Sequence, residues 1–104
     1  MNKCNFLGRF YEDPILEDAY NTTVCNFRVN VEEYRKDKDG YSKKRNNILN
    51  FEAWDTAAKA IVKQGKRGDY IVLECIARSY SNNIVFRVTS FKIFNNVENN
   101  EQKN

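Results

Sequence analysis

From Thr23 to Tyr34 the chain alternates without a break: Cys25, Phe27, Val29 and Val31 fall on one parity, and Asn26, Arg28, Asn30, Glu32 and Tyr34 on the other. A β-strand sends successive side chains to opposite faces, so this stretch reads as a long strand with one buried face. The pattern recurs. Tyr70 to Tyr80 sets Ile71, Leu73, Cys75 and Ala77 against Val72, Glu74, Ile76, Arg78 and Tyr80, and Leu49 to Trp54 sets Leu49, Phe51 and Ala53 against Asn50, Glu52 and Trp54. Strands with one apolar and one polar face belong to antiparallel sheet that covers a core on one side only.

The remaining segments fill in an order. Cys4 to Tyr11 reads as a first strand with a bulge or bend at Gly8, and Asp13-Pro14 as a turn, because proline fixes its own φ and restricts the residue before it. Residues 15–20 read as a short irregular strand. Residues 35–46 are charged around Asp39-Gly40 and predict a mobile hairpin loop leading into the Ile48 to Trp54 strand. After Trp54 the period becomes helical, with Asp55 as the expected cap, Ala58, Ile61 and Val62 on the apolar side, and Gly65 and Gly68 placed to end it. Ser81, Asn82 and Asn83 predict a tight turn, Ile84 to Phe94 a last strand, and the blurred parity near Ser90 a bulge. The domain is expected to span 1–94 and residues 95–104 to be a disordered polar tail. Five main strands with one short helix between the third and fourth is the order of the oligonucleotide-binding (OB) fold, an all-β, five-stranded Greek-key barrel. An SH3-like barrel does not normally insert a helix there.

Composition narrows the function classes. A chain of 104 residues is one domain, able to bury roughly two thirds of its unfolded surface. No apolar run approaches the roughly 20 residues of a membrane span, and Met1-Asn2-Lys3-Cys4 opens no signal peptide, so a soluble cytoplasmic protein is expected. Cys4, Cys25 and Cys75 are widely spaced in strand-like surroundings, and with no histidine in the chain they read as reduced core thiols. No metal or other cofactor is called for. Asn21-Thr22-Thr23 is a glycosylation sequon by letter only. The net charge of +3 suits an anionic partner weakly.

The single tryptophan is the sharpest functional signal. Trp54 shares its parity with Asn50 and Glu52, so the alternation puts a large ring on the solvent side of a sheet, as a base-stacking platform requires. The competing reading is a core tryptophan whose parity a bulge has flipped.

Beyond these patterns, NKCNFLGRFYEDP (Asn2 to Pro14), TTVCNFRVNVEEYR (Thr22 to Arg35) and FEAWDTAAKAIVKQGKRGDYIVLECIARSY (Phe51 to Tyr80) resemble, in order and spacing, bacterial-type and phage-type single-stranded-DNA-binding proteins. That resemblance implies a homo-oligomeric OB-fold protein that binds and protects single-stranded DNA in replication, recombination or repair, as a dimer or tetramer. It implies base-stacking roles for Trp54 and Tyr34, with Tyr80 near a third aromatic place. Ile48 stands where the family has a further aromatic, so Tyr41 is the substitute candidate. The family's acidic recruiting tip has no counterpart in Glu101-Gln102-Lys103-Asn104, which predicts no recruitment of repair enzymes and suits a phage or mobile-element protein.

Arg28 and Arg78 share faces with Tyr34 and Tyr80, and Lys43, Lys44 and Arg45 stand on the predicted loop, so cations for phosphates interleave with rings for bases. Lys66 and Arg67 read as structural. Catalysis finds no histidine and no phosphate-cradling glycine loop. The alternative is an OB-fold protein-interaction or primosome-type accessory module, supported in part by outward Ile48, Val72 and Ile76.

Overall fold

The computed structural model describes residues 1–96. Each alternating stretch is a strand, in the order β1 (Cys4–Phe10), β2 (Leu16–Ala19), β3 (Thr22–Lys36), β4 (Ser42–Trp54), α1 (Asp55–Gln64), β5 (Tyr70–Tyr80) and β6 (Asn83–Phe94). The ladder runs β1-β5-β6-β4-β3-β2, and β1 also pairs with β3 at Arg9↔Asn30 and Phe10↔Val29. The five long strands therefore close on themselves as an OB-like barrel, and β2 is the short sixth, added at the outer edge of β3. The β4–β6 seam is parallel and as short as the β1–β3 one, Phe51↔Phe86 and Glu52↔Arg87.

The inward parity is the core: Phe27, Val29, Phe51, Ile71, Leu73, Cys25 and Cys75 are all buried. Edge-on and offset aromatic pairs fill the centre, Phe6 against Phe86 at 4.8 Å and Phe27 against Phe51 at 5.6 Å between centroids. Ala58 and Ile61 of α1 are buried against the barrel. All three thiols are free, and burial pushes Cys25 up to about 11 and Cys75 up to about 12, which keeps both protonated.

Gly8 sits in regular register opposite Ile71 rather than at a bulge. Its role is close approach: a Cβ there would lie 2.5 Å from the Asn30 carbonyl oxygen and 2.6 Å from Val29 Cγ1, where β1 crosses β3. The bulge expected near Ser90 is present, since Glu74 pairs with Ser90 and Cys75 with Val88, leaving Thr89 over.

The 35–46 segment departs most from expectation. It is mainly strand, with Tyr34↔Lys44, Arg35↔Lys43 and Lys36↔Ser42 in register, and only 37–41 turn. Glu32 with Lys44 and Glu33 with Arg45 pair across the arms and offset the like charges of Arg35 and Lys43, in a ladder that composition alone does not reveal. The helix start differs as well. Trp54 is its N-cap without a side-chain bond, whereas Asp55 is its first residue, at φ 54°, and accepts a hydrogen bond from the Thr22 hydroxyl. Aspartate is among the residues that tolerate this left-handed backbone. At the other end, the Gly65 N–H closes the last turn on Ile61 O at 2.9 Å.

Residues 97–104 of the expected tail lie outside the described residues. Its first two, Asn95 and Asn96, hydrogen-bond the buried Asp69 carboxylate at 3.0 and 2.9 Å.

Candidate nucleic-acid interface

The β3–β4 register lays the outward side chains in rows: Trp54 beside Val24, Glu52 beside Asn26, Asn50 beside Arg28, Ile48 beside Asn30, Asn46 beside Glu32, Lys44 beside Tyr34. At about 3.3 Å per residue this strip runs for about 33 Å from Lys44 to Trp54. It carries rings at both ends and amides between.

At the Trp54 end the parity reading holds, but the ring is half-buried rather than bare. Val24 flanks it on β3, and the Arg87 guanidinium stands 5.5 Å from its centroid. Arg87 Nε donates to Glu52 Oε1 at 2.9 Å, Tyr80 Oη donates to the same oxygen at 2.9 Å, and Arg87 also donates to Tyr80 Oη at 3.1 Å. Glu52 is only 5% exposed, so its charge requires these partners. Burial opposes the Arg87 charge, yet the hydrogen bond and charge of Glu52 outweigh it and leave the Arg87 pKa raised. Trp54, Tyr80, Val85, Asn26 and β2 residues, Glu17 among them, line a groove of about 420 Å³. The indole N–H is buried with no hydrogen-bond partner among the described residues, so packing alone holds the ring. Arg78 is exposed and stands 5.9 Å from the Tyr80 ring.

At the other end Tyr34 is 65% exposed, and its hydroxyl donates to Glu32 Oε2 at 2.7 Å. Lys44 Nζ lies 3.3 Å from Glu32 Oε1. The Tyr34 bond and then Lys44 hold the Glu32 carboxyl below its ordinary pKa, while the same bond raises the Tyr34 phenol. The basic trio lies on β4 rather than on a loop, and strand alternation divides it. Lys44 shares the Tyr34 face; Lys43 and Arg45 point to the opposite side of the ribbon, near Asp37 at 3.9 Å and Glu33 at 3.7 Å. Tyr41 is 72% exposed in the turn, where Asp37 accepts from the Asp39 and Tyr41 N–H groups.

Arg28 is on the predicted face, but it engages Tyr11 and Glu12 rather than Tyr34. Its fork meets Glu12 at 2.7 and 2.9 Å, and its guanidinium stands 4.9 Å from the Tyr11 centroid. The bond to Arg28 holds the Glu12 carboxyl below its ordinary value.

Three contributors escape sequence reading. Arg87 reaches the Trp54 ring only through the long-range β4–β6 seam, which no local period announces. Tyr11 follows the first strand and joins Arg28 through the bond from its own N–H to Arg28 O at 3.0 Å. Arg9 lies 4.7 Å from the Tyr70 centroid, and with Tyr11, Asn30 and Arg67 it lines a second cleft of about 560 Å³. Arg67, read from sequence as structural, is fixed there by its backbone N–H, which donates to Asp13 Oδ1 at 2.7 Å. Among the described residues no cluster suited to a metal ion occurs. The surface offers flat rings, cations held by exchangeable carboxylates, and amide groups.

A family model described as the single-strand binding protein family matches residues 1–100. The fold is similar to the SSB domain of a Synechococcus sp. protein, with TM-score 0.69 and 22% identity, covering 90% of this chain and 94% of that one. It is also similar to a deletion variant of the single-stranded DNA binding protein from Thermus aquaticus, with TM-score 0.76 and 11% identity over 90% of this chain and 50% of that one. No curated protein matches in sequence.

Proposed function

The chain belongs to the single-strand binding protein family, and from that premise we propose that it binds and protects single-stranded DNA, with little sequence preference, during replication, recombination or repair. The family is one of binding proteins, not enzymes. The observation that carries the reading is the outer strip of β3 and β4, with Trp54 at one end and Tyr34 beside Lys44 at the other. Bases stack on the rings, and phosphates exchange for the carboxylates now facing Lys44 and Arg28. Exposed ion pairs of this kind are screened by solvent and contribute little, so a polyanion displaces them readily.

Self-association fits the same reading. On the outer side of β1, β5 and β6 the register sets Leu7 beside Val72 and Tyr70 beside Phe94, all four exposed. We place a second copy on that strip, which light scattering with and without oligonucleotide tests. That face is also the one favouring the interaction-module alternative. A competition assay separates the two readings: binding of an unstructured oligonucleotide, displaced by single strands and not by duplex, is the expected outcome at micromolar protein and low salt. No shift of that oligonucleotide under those conditions leaves the interaction module in possession.

A further inference from the structure

Resting on the reading of the Trp54 groove as a base site, we propose that Glu17 biases that site toward bases bearing an exocyclic amino group and against thymine. The register aligns Glu17 with Val24 and Val24 with Trp54, so three outward side chains stand in one row across β2, β3 and β4. With strands about 4.8 Å apart, the carboxylate-bearing residue and the indole flank the buried Val24 at a backbone separation of about 10 Å. Val24 is the apolar floor, Trp54 one wall and Glu17 the other, in the groove that Asn26, Tyr80 and Val85 complete.

The carboxylates differ in availability. Glu52 is engaged by Tyr80 and Arg87. Asp18 also lines the groove, but its register partner is Thr23, so it stands out of the Val24–Trp54 row that Glu17 joins. Glu17 is exposed and has neither an ion pair nor a side-chain hydrogen bond among the described residues. An ionised carboxylate only accepts hydrogen bonds. Cytosine and adenine offer it an amino donor, whereas thymine turns carbonyl oxygens outward on both sides of its single N–H. A base stacked on Trp54 with its polar edge toward β2 meets Glu17 as an acceptor. The uncompensated charge also repels phosphate whatever the base, and the two effects are separable.

The experiment titrates the full-length chain with oligodeoxycytidylate and oligothymidylate of equal length at one salt concentration, for the wild type, Glu17→Gln and Glu17→Asp. The cytidylate-to-thymidylate affinity ratio is expected to fall about fivefold in Glu17→Gln, whose amide still accepts from cytosine but now also donates to a thymine carbonyl, a gain on the order of one hydrogen bond. Glu17→Asp, which keeps the charge but draws it back, is expected to lose the preference while retaining thymidylate affinity. Both affinities rising together in Glu17→Gln, with the ratio unchanged, overturns the proposal, because Glu17 then acts through charge alone. A wild type that binds neither oligomer overturns the groove reading and the proposal together. Glu17 is exposed on an edge strand, and equal melting curves verify that the variants are folded.

Discussion

Trp54 holds a position between platform and core. Its parity was legible because Phe51 and Ala53 leave no doubt which face is inside; its half-burial was not, because Val24 and Arg87 reach it from other strands. Both aspects have measurable consequences. Trp54→Ala is expected to weaken single-strand binding about tenfold or more, from the roughly 1 to 3 kcal/mol that stacking contributes per base. It also lowers stability by about 1 to 2 kcal/mol in denaturant titrations, because the lost ring covers apolar surface. Tyr34→Ala, at an exposed position, weakens binding more mildly and leaves the unfolding midpoint in place. A Trp54→Ala protein that fails to fold at all would show that the ring belongs to the core.

Within the β3–β4 ribbon the relevant unit is the pair of arms, not the loop that the charges suggest. The sequence shows Glu32, Glu33, Lys43, Lys44 and Arg45 as a charged stretch; only register reveals that Tyr34 faces Lys44 and that alternation turns Lys43 and Arg45 away. Neutralising Lys43, Lys44 and Arg45 together is expected to reduce the slope of log affinity against log salt by about 0.7 for each phosphate no longer neutralised. Trp54→Ala leaves that slope unchanged. Glu32 competes with DNA for Lys44, so Glu32→Gln is expected to raise affinity a few-fold, the modest gain a solvent-screened pair allows. The sign with pH follows. Glu32 has a lowered pKa in the free protein, and phosphate capture of Lys44 raises it in the complex, so binding takes up a proton. The Tyr34 bond, the larger cause of the lowering, stays in place, so the value in the complex remains below 4.5; affinity rises as pH falls below 4.5 and through the free-protein value, and the rise attributable to Glu32 is missing from Glu32→Gln.

Across the whole molecule, the order of strands and helix was legible because each period change is local, and that order implied a barrel; which residues close it was not legible. β1 meets β3 over only two register pairs, and the permission for that crossing is the missing side chain of Gly8. Gly8→Ala is expected to destabilise the fold by about 2 to 3 kcal/mol, the cost of overpacking a site bounded by backbone, read from chemical denaturation. The closed barrel is what holds Trp54 and Tyr34 on one strip, so the central claim is best tested through the strip itself. Trp54 is the chain's only tryptophan, and its fluorescence reports that face alone. Titration with an unstructured oligothymidylate at low salt should quench it strongly and saturably, and duplex of the same length should leave it almost unchanged. Unaltered fluorescence at micromolar protein, with the fold intact, would contradict the account.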